Sequence, residues 1–172
     1  MPERMIFMLR RLQTAVQKRR FYWMLFTLWA GVIFFFSAQR DTQSVQQSGF
    51  FAHLLEQAVC LICGEGSRSQ ALYDFLHTFV RKGAHFTVYL ILGMISERAY
   101  AHSGAHGRGL RFLLCMLTCA LYAATDEIHQ YFVPGRAMML TDVLIDSAGA
   151  LCGVTAMLGI RQLTGEKKKR KM

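Results

Sequence analysis

Residues 126–146 read DEIHQYFVPGRAMMLTDVLID. This stretch holds Asp126, Glu127, His129, Gln130, Arg136, Asp142 and Asp146, and strongly apolar runs flank it at 110–125 and 143–160. An ionisable side chain at membrane depth is expensive and faces a polar interior rather than lipid. The stretch is therefore read as the polar centre of a membrane-embedded bundle and as its candidate site. Pro134-Gly135 is the one strong breaker in this half, so a helix should stop there and another begin beyond it.

Working outward, the chain has 172 residues, 53% of them hydrophobic, and two prolines. That length suits one domain. The apolar content falls in four blocks, at 21–38, 83–95, 110–125 and 143–160. A spanning helix needs about 20 mostly apolar residues. The first and fourth blocks nearly meet this unaided; the second and third do so only if their polar ends are helical. The expected fold is all-α: a polytopic membrane bundle of four transmembrane helices, at about 21–38, 79–97, 110–133 and 142–160. Short amphipathic helices are expected at the N-terminus and in the first outer loop. Residues 1–20 then form a basic cytoplasmic segment, 21–160 the membrane domain, and 161–172 a basic cytoplasmic tail.

Charge placement carries the topology. Arg4, Arg10, Arg11, Lys18, Arg19 and Arg20 precede the first block, and Arg161, Lys167, Lys168, Lys169, Arg170 and Lys171 follow the last. Net of Glu3 and Glu166 each tail carries +5 against a formal net charge of +9, so residues 21–160 sum to −1. The loop at 97–111 is basic through Arg98, Arg108 and Arg111, whereas the loop at 39–80 carries Asp41, Glu56, Glu65 and Asp74. The positive-inside bias puts both tails and the 97–111 loop in the cytoplasm of a cell membrane, and four spans satisfy that at every loop. Topology accounts for the basic tails, so no nucleic-acid partner is expected. Phe36 spoils a small-x-small cleavage site after the first block, which reads as an uncleaved anchor. No lipidation motif is read at either end.

Cys60 and Cys63 form CxxC in the outer loop, a weak signal for metal or redox work. They read as packed thiols or an incidental disulfide, and Cys115, Cys119 and Cys152 as small packing residues inside spans. SAQRDTQSVQQSG (37–49) reads as a polar linker, and 50–63 as an interfacial helix. Ser69 is a plausible N-cap for a long helix. His102 and His106 read as loop residues. Thr141 can N-cap the fourth helix, with Asp142 in its first turn.

Helix rise then gives depth. His85 lies roughly 20 Å from Arg98, and Asp126 and Asp146 lie roughly 23 Å from Arg111 and Arg161. All three are at similar depth on three helices. Residues three or four apart share a helix face. Arg81, His85 and Tyr89 form one stripe, with Lys82 beside it. Asp126, His129 and Gln130 form a second, and Asp142, Asp146, Gly149 and Gly153 a third. The two glycines are spaced as GxxxG, which allows close helix approach. One polar pocket between the second, third and fourth spans, opening outward, follows from these stripes.

Three chemistries are open to it. The charges can form an internal ion-pair network that locks the bundle. Alternatively Arg81, Lys82 and Arg136, with Tyr89, Gln130 and Asp142, hold an anionic head group, while His85, Asp126, Glu127, His129 and Asp146 supply acid–base function. The third is a metal, since histidine and carboxylates are competent ligands. No metal ligands and no cofactor are assigned, because Glu127-Ile128-His129 is a poor helical chelate: residues two apart do not share a face.

The same residues resemble the VanZ-like family of small bacterial membrane proteins. The resemblance covers about 21–160: FSAQ at 36–39, RKGAHFTVY at 81–89 with Leu92-Gly93, DEIHQYFVPGR at 126–136, and Asp142, Asp146 and Gly149 as D-x-x-x-D-x-x-G. Val88 departs from the pattern, since many relatives carry Glu before this tyrosine. The resemblance implies a multi-pass envelope protein, and the family's founding member is associated with resistance to the glycopeptide antibiotic teicoplanin. The expected ligand is an anionic amphiphile in the membrane, such as a polyprenyl-phosphate-linked intermediate. The rival expectation is a non-catalytic scaffold or binding protein.

Overall fold

The computed structural model describes residues 2–39, 41–104 and 107–169. Arg40, His106 and the last three residues of the basic tail lie outside the described residues. Five α-helices follow in order: α1 (Pro2–Ser37), α2 (Asp41–Cys63), α3 (Gln70–His102), α4 (Arg108–Tyr131) and α5 (Leu140–Lys169). A single 3₁₀ turn, Glu65–Ser67, joins α2 to α3, and no strand occurs among the described residues.

Among the described residues, three stretches are long and apolar enough to cross a membrane: Ile6–Ser37, Arg108–Tyr131 and Leu140–Thr164. The fourth expected span, 79–97, lies within α3, which is long enough. Arg81, Lys82, His85, Glu97 and Arg98 make it more polar than the other three. Its place in the fold matches that polarity. α3 packs against each of the other four helices, and Tyr89, Leu92, Ser96, Glu97 and Ala99 on it are completely buried. The outer helices instead expose apolar side chains. Leu110, Leu113, Leu117, Leu121 and Ile128 form an exposed stripe on α4, and Phe21, Met24, Leu28 and Phe35 are exposed on α1. Continuous apolar surface of this kind mates with lipid rather than water.

Local sequence explains the start of α3 and the end of α4. Ser69 caps α3, its Oγ accepting from the Leu72 N–H at 3.2 Å. α4 stops at Tyr131, just before Pro134-Gly135, and Gly135 takes a positive φ of 85° that a side chain would strain. Three expectations need correction. The N-terminal segment is not a separate amphipathic helix, because α1 runs unbroken from Pro2 to Ser37. No proline or glycine interrupts it before Gly31. The 37–49 stretch is not a linker, since α2 already begins at Asp41. Tertiary contacts hold that helix: Ser48 Oγ is 2.8 Å from His77 Nε2 of α3, and the His53 and Tyr73 rings lie 4.7 Å apart. Finally, α5 begins at Leu140, one residue before Thr141, so Thr141 is not its cap.

The α3–α5 seam depends on glycine. A Cβ at Gly149 would overlap the Phe86 carbonyl, one at Gly153 the Leu90 carbonyl, and one at Gly93 the Ala150 carbonyl. Backbones this close bring the polar residues of α3 and α5 to face each other across a narrow gap.

Candidate functional site

Across that gap α3 and α5 make two contacts one turn apart. Lys82 Nζ lies 3.3 Å from Asp142 Oδ1, and His85 Nδ1 lies 3.3 Å from Asp146 Oδ1. The first pair is half open to its surroundings on the lysine side; in the second the Asp146 side chain is completely buried. α4 closes the third side. Its Asp126, Glu127 and Gln130 are all buried. Gln130 Nε2 donates to Asp126 Oδ2 at 3.3 Å. Glu127 Oε2 accepts the backbone N–H of Met139 at 3.0 Å. Met139 directly precedes α5, so a carboxylate from a neighbouring helix meets the positive end of the α5 dipole and takes up a helix-entry N–H.

A cavity of about 260 Å³ adjoins this cluster. Its polar wall is Arg81, His85, Tyr89, Asp126, Gln130 and Arg136, and Ile33, Phe51, Val80 and Val88 supply an apolar wall. The cavity lies among α1, α2, α3, α4 and the turn after α4, whereas the sequence pointed to a pocket among the last three spans alone. Ser37 of α1, which is buried, and Gln47 and Ser48 of α2 also line it. Ser37 belongs to the FSAQ stretch, so a signal for it was present. The α2 residues carried none.

Among the residues singled out in the sequence, His85, Glu127 and Asp146 come together from three helices. One ligand-capable atom from each lies within 4.8 Å of the other two. Asp126 and Gln130 share the cavity with His85, Arg81, Tyr89 and Arg136. Lys82 and Asp142 pair beside it. His129 turns the other way. Its ring packs on Phe34 of α1, with centroids 4.4 Å apart, and it is not part of the cavity wall. The stripe reading grouped His129 with Asp126 and Gln130; Glu127, which that stripe left out, is the residue that reaches Met139 and Asp146.

A second buried charge cluster lies at the opposite end of α3. Glu97, completely buried, has its Oε1 3.0 Å from Arg111 Nε of α4 and accepts from Arg161 Nη1 of α5 at 3.4 Å. The sequence offered the two arginines only as loop and tail charges. The two CxxC cysteines are free thiols, Cys60 buried and Cys63 exposed.

The cluster around His85 can do three things chemically. A histidine beside a carboxylate can pass a proton. Guanidinium groups on a partly apolar wall can hold an anionic head group. Imidazole and carboxylate donors can take a metal ion.

Described residues that are helical throughout apart from turns, with three helices among them long and apolar enough to cross a membrane, built around buried ionisable side chains, define an integral membrane protein with a polar centre. Residues 21–161 match the family described as VanZ/LLP1, and the chain belongs to this VanZ-like family. No curated protein and no solved structure gives a significant match.

Proposed function

We propose that this protein spans the membrane four times, with α3 as the fourth span, and has both termini in the cytoplasm. In this reading its polar pocket opens outward and binds or acts on an anionic amphiphile of the bacterial envelope, such as a polyprenyl-phosphate-linked intermediate. One observation carries the reading: Arg81 and Arg136 share a single cavity with His85 and Asp126, and that cavity also has an apolar wall. The apolar wall suits a lipid tail. Arginine suits bidentate recognition of a phosphate or carboxylate. In the enzymatic form of the proposal, a hydrolase or transferase, His85 with Asp126 or Asp146 moves the proton. Teicoplanin tolerance would be one outcome of such chemistry in the envelope.

The test is binding of a phosphorylated polyprenol analogue in detergent to wild type and Arg136→Lys. Wild type should bind, and the lysine variant, which lacks the planar fork, should bind at least tenfold more weakly at unchanged expression. No binding to either, or equal binding to both, would favour the rival reading, a non-catalytic scaffold held by ion pairs. The Lys82–Asp142 contact and the Glu97 cluster support that rival.

A further inference from the structure

We propose that His85, Glu127 and Asp146 form a binding site for a divalent transition-metal ion, Zn²⁺ or Mn²⁺. The three residues come from three different helices, so α3, α4 and α5 each fix one donor. Their ligand-capable atoms all lie within 4.8 Å of one another. Two donors each about 2.1 Å from a tetrahedral ion are about 3.4 Å apart. The observed separation of His85 Nδ1 and Asp146 Oδ1 is 3.3 Å. Glu127 has the longest rotatable side chain of the carboxylate pair, and a small torsion adjusts its reach.

The carboxylates themselves supply the second observation. Glu127 and Asp146 are both 0% exposed. Asp146 Oδ1 has only the His85 imidazole, 3.3 Å away, and Glu127 Oε1 and Asp146 Oδ2 have no hydrogen-bond partner among the described residues. Buried carboxylate oxygens are nearly always partnered, so this arrangement asks for a positive species between them. The neighbouring charges are otherwise disposed. Lys82 is turned to Asp142, Asp126 accepts from Gln130, and Arg81 and Arg136 stand on the cavity wall. Two carboxylates and a neutral imidazole balance a divalent ion, which leaves a neutral site at membrane depth.

The donor set narrows the ion. Calcium and magnesium prefer all-oxygen shells, and a single imidazole nitrogen with two carboxylates suits Zn²⁺ or Mn²⁺ better. Glu127 is also oriented from outside the site, because its Oε2 takes the Met139 N–H. Three protein donors leave a coordination position open, and His85 lines the cavity. An ion there would present its free position to whatever occupies the cavity. That last step rests on the function proposed above; metal binding does not.

The experiment uses the full-length protein in detergent, stripped with a chelator and titrated with Zn²⁺ or Mn²⁺ alone. Bound metal is counted by elemental analysis and affinity is read by calorimetry. Wild type should take about one equivalent of at least one ion. Glu127→Gln and Asp146→Asn should each bind at least tenfold more weakly, and His53→Ala, an exposed histidine outside the cluster, should bind as wild type does. Should a variant not fold, Co²⁺ substituted into wild type decides the point: visible d–d absorption of a nitrogen–oxygen site, lost on adding Zn²⁺, supports the proposal. No stoichiometric metal in wild type, no such absorption, or undiminished binding in both folded carboxylate variants would overturn it. Metal binding without any phosphorylated-lipid binding would leave this inference standing and sink only the ligand reading.

Discussion

Glu97 and Asp142 are both acids paired to basic residues on another helix, yet their surroundings assign them very different weight. Glu97 is completely buried between Arg111 and Arg161, whose side chains are 12% and 36% exposed. Removing one member of a buried ionic cluster leaves charge uncompensated and costs roughly 3–5 kcal/mol. Asp142 faces Lys82, which is 39% exposed. A pair open to its surroundings is worth about 0–1 kcal/mol. Glu97→Gln should therefore lower the unfolding midpoint in detergent by several degrees, and Asp142→Asn should move it little. Equal shifts in the two variants would show that burial does not set the weight of these pairs.

At the scale of helices, the α3–α5 seam makes a sharper demand than composition suggests. α5 carries Gly153 against the Leu90 backbone and Gly159 with nothing within 4 Å of an added Cβ. Alanine is favoured over glycine in a helix by about 1 kcal/mol, so Gly159→Ala should be neutral or mildly stabilising. Gly153→Ala must push α5 off α3, and overpacking of this kind costs about 1–3 kcal/mol. Because the seam aligns His85 with Asp146, Gly153→Ala should also weaken any binding measured at that cluster. Thermal unfolding of the two variants side by side checks this, and a Gly153→Ala protein as stable as Gly159→Ala would contradict the close approach.

For the molecule as a whole, charge placement makes a prediction about its orientation in the bilayer. The proposed topology puts Met172 in the cytoplasm and Cys63, exposed at the end of α2, outside. A reporter active only outside the cell should be silent when fused after Met172. A membrane-impermeant maleimide applied to intact cells should label the protein, and Cys63→Ser should abolish the labelling. An active C-terminal reporter would invert the assignment.

How far the sequence reached can be judged from individual residues. Helical periodicity and rise depend only on residue type and spacing. They set His85, Asp126 and Asp146 at one depth, Ser69 at a helix start, Pro134-Gly135 at a helix end, and Gly149 and Gly153 on a contact face. The chain's apolar blocks and the VanZ-like motifs likewise follow from order along the sequence, and so the membrane class and the family were legible there. What spacing cannot fix is the rotation of one helix against its neighbours. Asp126 and Glu127 are adjacent, about 100° apart around the helix. Packing alone determined that Asp126 meets the cavity, Glu127 meets α5, and His129 turns to Phe34. The same holds for α2, whose polar first half becomes helical against His77 and Tyr73, and for Glu97, whose arginine partners come from two other helices, α4 and α5. The tertiary structure decided these because each depends on which surfaces come into contact, and no local property of the chain encodes that.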